Sequence, residues 1–98
     1  MVEQRKSRRF ELKLPVELLR AGALPMRKAG ETRNVSSTGV LMTTDVLVPV
    51  GESIEYLITL PVISEGDQAV RLRCVGKVVR QETTASAATL ERYEFLRE

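Results

Sequence analysis

The stretch Asn34-Val35-Ser36-Ser37-Thr38-Gly39 has the composition of a tight bend between two short β-prone segments. Residues 31–35 lead into the bend, and Val40-Leu41-Met42 follow it directly. Asn, Ser and Gly favour bends because their side chains bond the local backbone or because they relax its steric limits. The stretch therefore predicts a β-hairpin with its bend at residues 36–39.

Alternating apolar residues predict further strands outside this hairpin. The first strand is predicted from apolar side chains at every second position: Phe10, Leu12, Leu14, Val16 and Leu18. The same period recurs over residues 54–60 and 70–79. Residues 19–30 contain Gly22, Pro25 and Gly30, and we predict that they form a connection without regular structure.

The last segment fits two structures. Residues 87–96 contain good helix formers, and Ser86 could cap a helix there. Tyr93 and Phe95 nevertheless alternate with polar neighbours, as in a strand. We predict a strand. Several short strands separated by turns indicate an all-β domain, either an antiparallel barrel or a sandwich, and a small sheet needs closure to hide its edges.

Composition limits the classes of function. A chain of 98 residues with 43% hydrophobic residues predicts one globular domain. Histidine is absent and Cys74 is the single cysteine, so the commonest general base is missing and no intrachain disulfide can form. No nucleophile motif, paired carboxylates or metal-ligand cluster stands out, so we predict no enzyme activity, no catalytic residue and no metal site. No apolar run approaches the ~20 residues of a membrane span, and we expect a cytoplasmic protein without membrane insertion.

Basic residues are concentrated at the start of the chain, in Arg5-Lys6-Ser7-Arg8-Arg9. Guanidinium groups are planar forks of donors that match phosphates and the O6/N7 edge of guanine. Such a cluster suits a small anionic ligand, an acidic lipid surface or a polynucleotide. The simplest alternative is a solvated basic tail.

Arg5 and Arg9, followed by a strand and then by N-x-S-x-x-G at Asn34, Ser36 and Gly39, together resemble the signature of PilZ domains. The resemblance extends over nearly the whole chain. It implies a small six-stranded antiparallel β-barrel over residues 10–98, a flexible basic arm over residues 1–9, and little or no C-terminal helix. It also implies a bacterial receptor module for the second messenger cyclic di-GMP, in which the ligand orders the arm onto the barrel.

The same resemblance assigns the ligand contacts. Cyclic di-GMP would be bound by Arg5, Arg9, Asn34, Ser36 and Gly39, with Arg8 as an auxiliary contact and no further cofactor. Each residue of the bend also has a structural interpretation that needs no ligand: an Asx-turn at Asn34, a backbone-bonded hydroxyl at Ser36, and a plain hairpin glycine at Gly39. For Gly39, a positive φ or a close approach of backbone to ligand would explain the glycine.

Two other functions compete with nucleotide binding. A PilZ-like adaptor would bind a protein and no nucleotide. A small barrel could also bind single-stranded nucleic acid, but aromatic residues make up only 4% of the chain, so stacking surfaces are scarce. We expect a protein partner or a fused output domain and no nucleic acid polymer. A homodimer is left open.

Overall fold

A computed structural model of the chain describes residues 11–46, 48–61 and 70–97, and within these ranges all regular structure is β-strand. The seven strands are β1 (Pro15–Ala21), β2 (Leu24–Val35), β3 (Gly39–Thr44), β4 (Ser53–Thr59), β5 (Val70–Gln81), β6 (Ser86–Thr89) and β7 (Arg92–Arg97). Every pairing between them is antiparallel.

Six of the strands close into a barrel in the order β4-β1-β2-β3-β6-β5, because β5 also pairs with β4. The seventh strand, β7, pairs with the first half of β5, whereas β6 pairs with its second half. The predicted six-stranded antiparallel barrel is confirmed, with one additional strand. Because the barrel closes, each of its six strands is paired on both sides over at least part of its length. This protects a small sheet from pairing with other chains.

Mostly aliphatic side chains fill the barrel, together with the fully buried ring of Tyr56. Val16 and Leu18 from β1, Met42 from β3 and Ile54 and Ile58 from β4 are buried together. The predicted alternation of the first strand is confirmed from Leu14 onward. Leu12 departs from it with 43% of its surface exposed, and Phe10 lies outside the described residues.

The prediction of a connection over residues 19–30 is wrong. A tight turn at Gly22, whose φ is +60°, joins β1 directly to β2, with Ala21 opposite Leu24. Residues 24–29 of β2 pair with β1 but not with β3, so one of their edges is unpaired. A half-paired strand tolerates Pro25 and does not need a regular apolar alternation, because among residues 24–29 only Met26 packs against the core.

The ambiguous last segment forms two strands separated by Leu90 and Glu91. Pairing of β6 with β3 and β5, and of β7 with β5, overrides the helix propensity of Ala87 and Ala88. The predicted strand at Tyr93 and Phe95 is confirmed. None of the described residues belongs to a helix that could cross a membrane.

Candidate ligand-binding site at the β2–β3 hairpin

The predicted hairpin is present, and Ser36 organises its bend. The backbone N–H of Ser36 donates to the Gly39 carbonyl at 2.9 Å. Its hydroxyl oxygen accepts from the N–H groups of Thr38 and Gly39 at 3.3 and 3.2 Å. The structural interpretation of Ser36 as a turn hydroxyl is therefore confirmed, while its contact with a ligand stays a prediction.

Gly39 is explained by a close approach between strands. Its φ does not lie in the positive range, so that part of the expectation is wrong. A Cβ at this position would lie 2.8 Å from the carbonyl oxygen of Ala88 in β6, which is shorter than real side chains allow. Glycine therefore lets β3 and β6 pair closely beneath the bend. The ligand contact of Gly39 stays a prediction.

Asn34 lies on the outer face of the barrel. The β2–β3 register skips between Thr32 and Asn34, so Thr32 points inward whereas Asn34 pairs with the outward residue Leu41. The Asn34 side chain is half-buried, and its amide makes no hydrogen bond to the described part of the chain. The Asx-turn interpretation is thus not observed, and the amide can still donate and accept.

Strand pairing extends this outer position into a row across four strands. Asn34 is opposite Leu41, Leu41 is opposite Ala87, and Ala87 is opposite Arg80 of β5. Neighbouring strands lie ~4.8 Å apart, so the row measures about 14 Å from Asn34 to Arg80. Its ends are an amide and a guanidinium, and its half-buried middle is apolar. The bulge between Val78 and Arg80 brings Arg80 into the row, where its guanidinium is exposed and donates to Glu82 at 2.9 Å.

Thr32 connects the start of the described chain to this hairpin. It is fully buried, and its hydroxyl accepts from the Leu14 N–H at 2.9 Å and donates to the Leu12 carbonyl at 2.5 Å. The Thr32 N–H also donates to the Leu14 carbonyl at 2.9 Å. The chain that follows the basic segment is therefore held beside β2, two residues before Asn34. Sequence reasoning missed Thr32, since nothing distinguishes it from other strand threonines.

The predicted arginine contacts lie outside the described residues. Arg5, Arg8 and Arg9 all precede residue 11, the first described position. The structure thus brings together Asn34, Ser36 and Gly39 on one hairpin. The three arginines of the predicted site stay a prediction.

A second charged surface is built from outward residues of β1, β4, β5 and β7. Its cavity of about 370 Å³ is bordered by Arg20, Glu55, Arg73, Arg92 and Glu94, among others. The Glu55 carboxylate accepts from Arg73 and, at 3.5 Å, from Arg20, and these contacts leave 13% of its side chain exposed. Hydrogen bonds and charge from Glu55 raise the pKa of the Arg73 guanidinium. Asn34, Ser36 and Gly39, the described residues of the predicted site, do not border this cavity.

Cys74 and Tyr56 carry ionisable groups inside the core. Burial raises the pKa of the Cys74 thiol to about 12, so the thiol stays protonated and unreactive. Burial likewise raises the pKa of Tyr56, whose hydroxyl donates to the Thr89 carbonyl at 3.0 Å. Among the described residues, no group of three His, Cys, Asp or Glu side chains could hold a metal ion.

Comparison with known proteins agrees with the architecture. The family model for the PilZ domain matches residues 3–96, which is nearly the whole chain. A search of curated proteins finds no match. PilZ is a family of receptor domains rather than of enzymes, and it is known for binding cyclic di-GMP. The barrel, the hairpin and the family match together lead to one conclusion: this chain belongs to the PilZ domain family.

Proposed function

We propose that this protein is a bacterial, cytoplasmic receptor module for cyclic di-GMP. The ligand is bound between the basic segment, through Arg5 and Arg9 with Arg8 as an auxiliary, and the outer side of the β2–β3 hairpin, through Asn34, Ser36 and Gly39. The proposal follows the family's known ligand and includes no further cofactor and no catalytic step.

The observation that carries the proposal is the Thr32 contact with Leu12 and Leu14. An extended chain spans at most ~3.3–3.6 Å per residue, so Arg9, three residues before Leu12, is within about 10 Å of this anchor. Arg5, seven residues before Leu12, is within about 25 Å. Both guanidiniums can therefore reach the hairpin bend without any rearrangement of the barrel.

The chemistry of the outer row suits a guanine base. The Asn34 amide can accept from the N1–H or N2–H donors of guanine. It makes no hydrogen bond to the described part of the chain that would compete. Leu41 and Ala87 provide an apolar floor beside it. The O6/N7 edge and the phosphates require forked donors, which arginine supplies. Closure of the arm over the ligand would then change the surface offered to a partner protein or output domain.

Calorimetric titration with cyclic di-GMP tests the proposal. Wild-type protein should bind cyclic di-GMP in preference to cyclic di-AMP and GTP. A variant with Arg5→Ala and Arg9→Ala should lose at least roughly tenfold in affinity, because each bidentate contact with guanine contributes ~1–3 kcal/mol. A variant with Arg27→Ala and Lys28→Ala loses the same charge from exposed positions of β2, and it should bind like the wild type.

Two results would change the assignment. Absence of binding up to high micromolar concentrations, together with retained binding of a partner protein by the double arginine variant, would make the chain an adaptor. Binding of any oligonucleotide with affinity that falls steeply with salt would indicate nucleic acid recognition instead.

A further inference from the structure

β7 has an outer edge that is suited to pairing with another strand. β7 pairs with β5 over six consecutive residues without a register shift, and none of the described residues pairs with its other edge. Its sequence, Arg92 to Arg97, contains no proline, glycine or lysine. Proline, bulges and charged side chains, above all lysine, normally prevent an exposed edge from pairing with another chain, and of these β7 has only the charges of Arg92, Glu94 and Arg97.

The side chains of β7 divide between two faces of the strand. Tyr93 and Phe95 point to one face, where they are 59% and 61% exposed, and their rings meet edge to face at 5.8 Å. Arg92 and Glu94 point to the other face, beside Arg73. Aromatic residues are enriched at protein–protein interfaces, and contiguous exposed apolar patches mark interaction surfaces.

We propose that β7 pairs in antiparallel orientation with β7 of a second copy of this chain, with the two-fold axis at Tyr93. In this register Arg92 of each copy lies directly opposite Glu94 of the other, which gives two ion pairs. The Arg73 contact at 3.4 Å involves Glu94 Oε1, so the second carboxylate oxygen remains available to the other copy. The Tyr93 rings of the two copies then meet across the axis.

Charge selects this register over its neighbours. Directly opposed residues of an antiparallel pair point to the same face of the sheet, so the two-fold axis must pass through a residue and not between two residues. The neighbouring registers therefore have the axis at Glu94 or at Phe95. A centre at Glu94 places two carboxylates opposite each other, and like charges directly opposite are destabilising. A centre at Phe95 pairs Glu94 with Leu96 and forms no ion pair. The Tyr93 centre alone pairs Arg92 with Glu94. It places residues 92–94 of the two β7 strands opposite each other and Phe95 opposite Glu91, which directly precedes β7.

This surface is separate from the proposed nucleotide site. β7 pairs with residues 70–75 of β5, whereas the outer row ends at Arg80 in the other half of that strand. In the closed order of strands, the β2–β3 hairpin lies across the barrel from β5 and β4. A dimer formed through β7 therefore leaves both hairpins open to ligand. The inference does not depend on the nucleotide proposal, and either can fail without the other.

Cysteine cross-linking of the full chain tests the register. Directly opposed residues have Cβ atoms ~4.5–5.5 Å apart, so Tyr93→Cys should give a disulfide-linked dimer under mild oxidation. Phe95→Cys should not, because in this register the two copies of that residue are offset by about 13 Å along the strands. Wild-type protein is the control, since its Cys74 is buried. Equal or better cross-linking of Phe95→Cys, or none of either variant, would overturn the proposal.

Sedimentation of charge variants tests the ion pairs independently. Arg92→Glu should weaken dimerisation roughly tenfold, because it replaces two attractive pairs by two repulsive ones. Adding Glu94→Arg to it should restore most of the affinity. Arg27→Glu makes the same charge change at an exposed position of β2 and should have no effect. A monomeric wild type at high micromolar concentration, or equal dimerisation by the single and double variants, would contradict the interface.

Discussion

Replacing Thr32 by Val removes the hydroxyl that holds the chain after the basic segment, and it changes the shape of the side chain little. Thr32 is 0% exposed, and its hydroxyl bonds both the Leu14 N–H and the Leu12 carbonyl. Both bonds are lost in the variant. The Thr32 backbone N–H still donates to the Leu14 carbonyl, so the strand is loosened rather than released.

The two lost bonds differ in cost. The Leu14 N–H is buried and is left without a partner, which costs ~1–3 kcal/mol. Leu12 is 43% exposed, so water can replace the hydroxyl at its carbonyl at little cost. We expect the free energy of unfolding to fall by about 2 kcal/mol, which for a domain of this size corresponds to a Tm lower by ~8–16 °C.

The matched control is Thr32→Ser, which keeps the hydroxyl and loses one buried methyl, at a cost of about 1 kcal/mol. Urea denaturation should rank the wild type first, Thr32→Ser second and Thr32→Val third. Native-state hydrogen exchange should show faster exchange of the Leu14 amide in Thr32→Val alone. The anchoring role would be refuted if Thr32→Val unfolded within about 0.5 kcal/mol of the wild type and the Leu14 amide kept its protection.

Three further predictions concern the barrel and the bend. Gly76→Ala should prevent folding or cost several kcal/mol, because its Cβ would overlap the Thr89 carbonyl; a normal denaturation midpoint would contradict this. Because burial raises the pKa of Cys74 to about 12 and unfolded thiols titrate near ~8.5, stability should hold below about pH 8.5 and fall from there to pH 12. The fall should be smaller in Cys74→Ala, and equal slopes in the two proteins would exclude this cause. Ser36→Ala should lose ~1 kcal/mol of stability and more cyclic di-GMP affinity than Ser37→Ala, and indistinguishable variants would contradict a role for the bend.

Where a strand covers the core on one face, its pattern was readable in the sequence. Val16 and Leu18 alternate because their neighbours face outward, and the same holds for Ile54 and Ile58. The first half of β2 could not be predicted in this way, since it projects beyond its pairing with β3 and its residues are mostly exposed. From the sequence alone, Pro25 indicates the end of a strand. The unpaired edge of this half of β2 accommodates the proline, and that edge is visible only in the structure.

The candidate site was predictable to a similar extent. The bend was recognisable from Ser36 and Gly39, because turn chemistry is local. The reason for Gly39 was not, because it depends on a carbonyl of β6 almost fifty residues away in sequence. The position of Arg80 in the outer row depends on a β-bulge and on the pairing of two further strands, neither of which leaves a mark on its immediate neighbours.

The most direct test of the central claim is a map of backbone amide shifts during titration of the full chain with cyclic di-GMP. We expect the largest shifts on the amides of residues 5–9 and on those of Asn34, Ser36 and Gly39, and we expect both sets to follow one binding curve. Tyr93 and its neighbours on β7 should remain unchanged below the concentration at which the protein dimerises. Shifts centred on the Arg20–Arg73 cavity with an unperturbed hairpin would contradict the account.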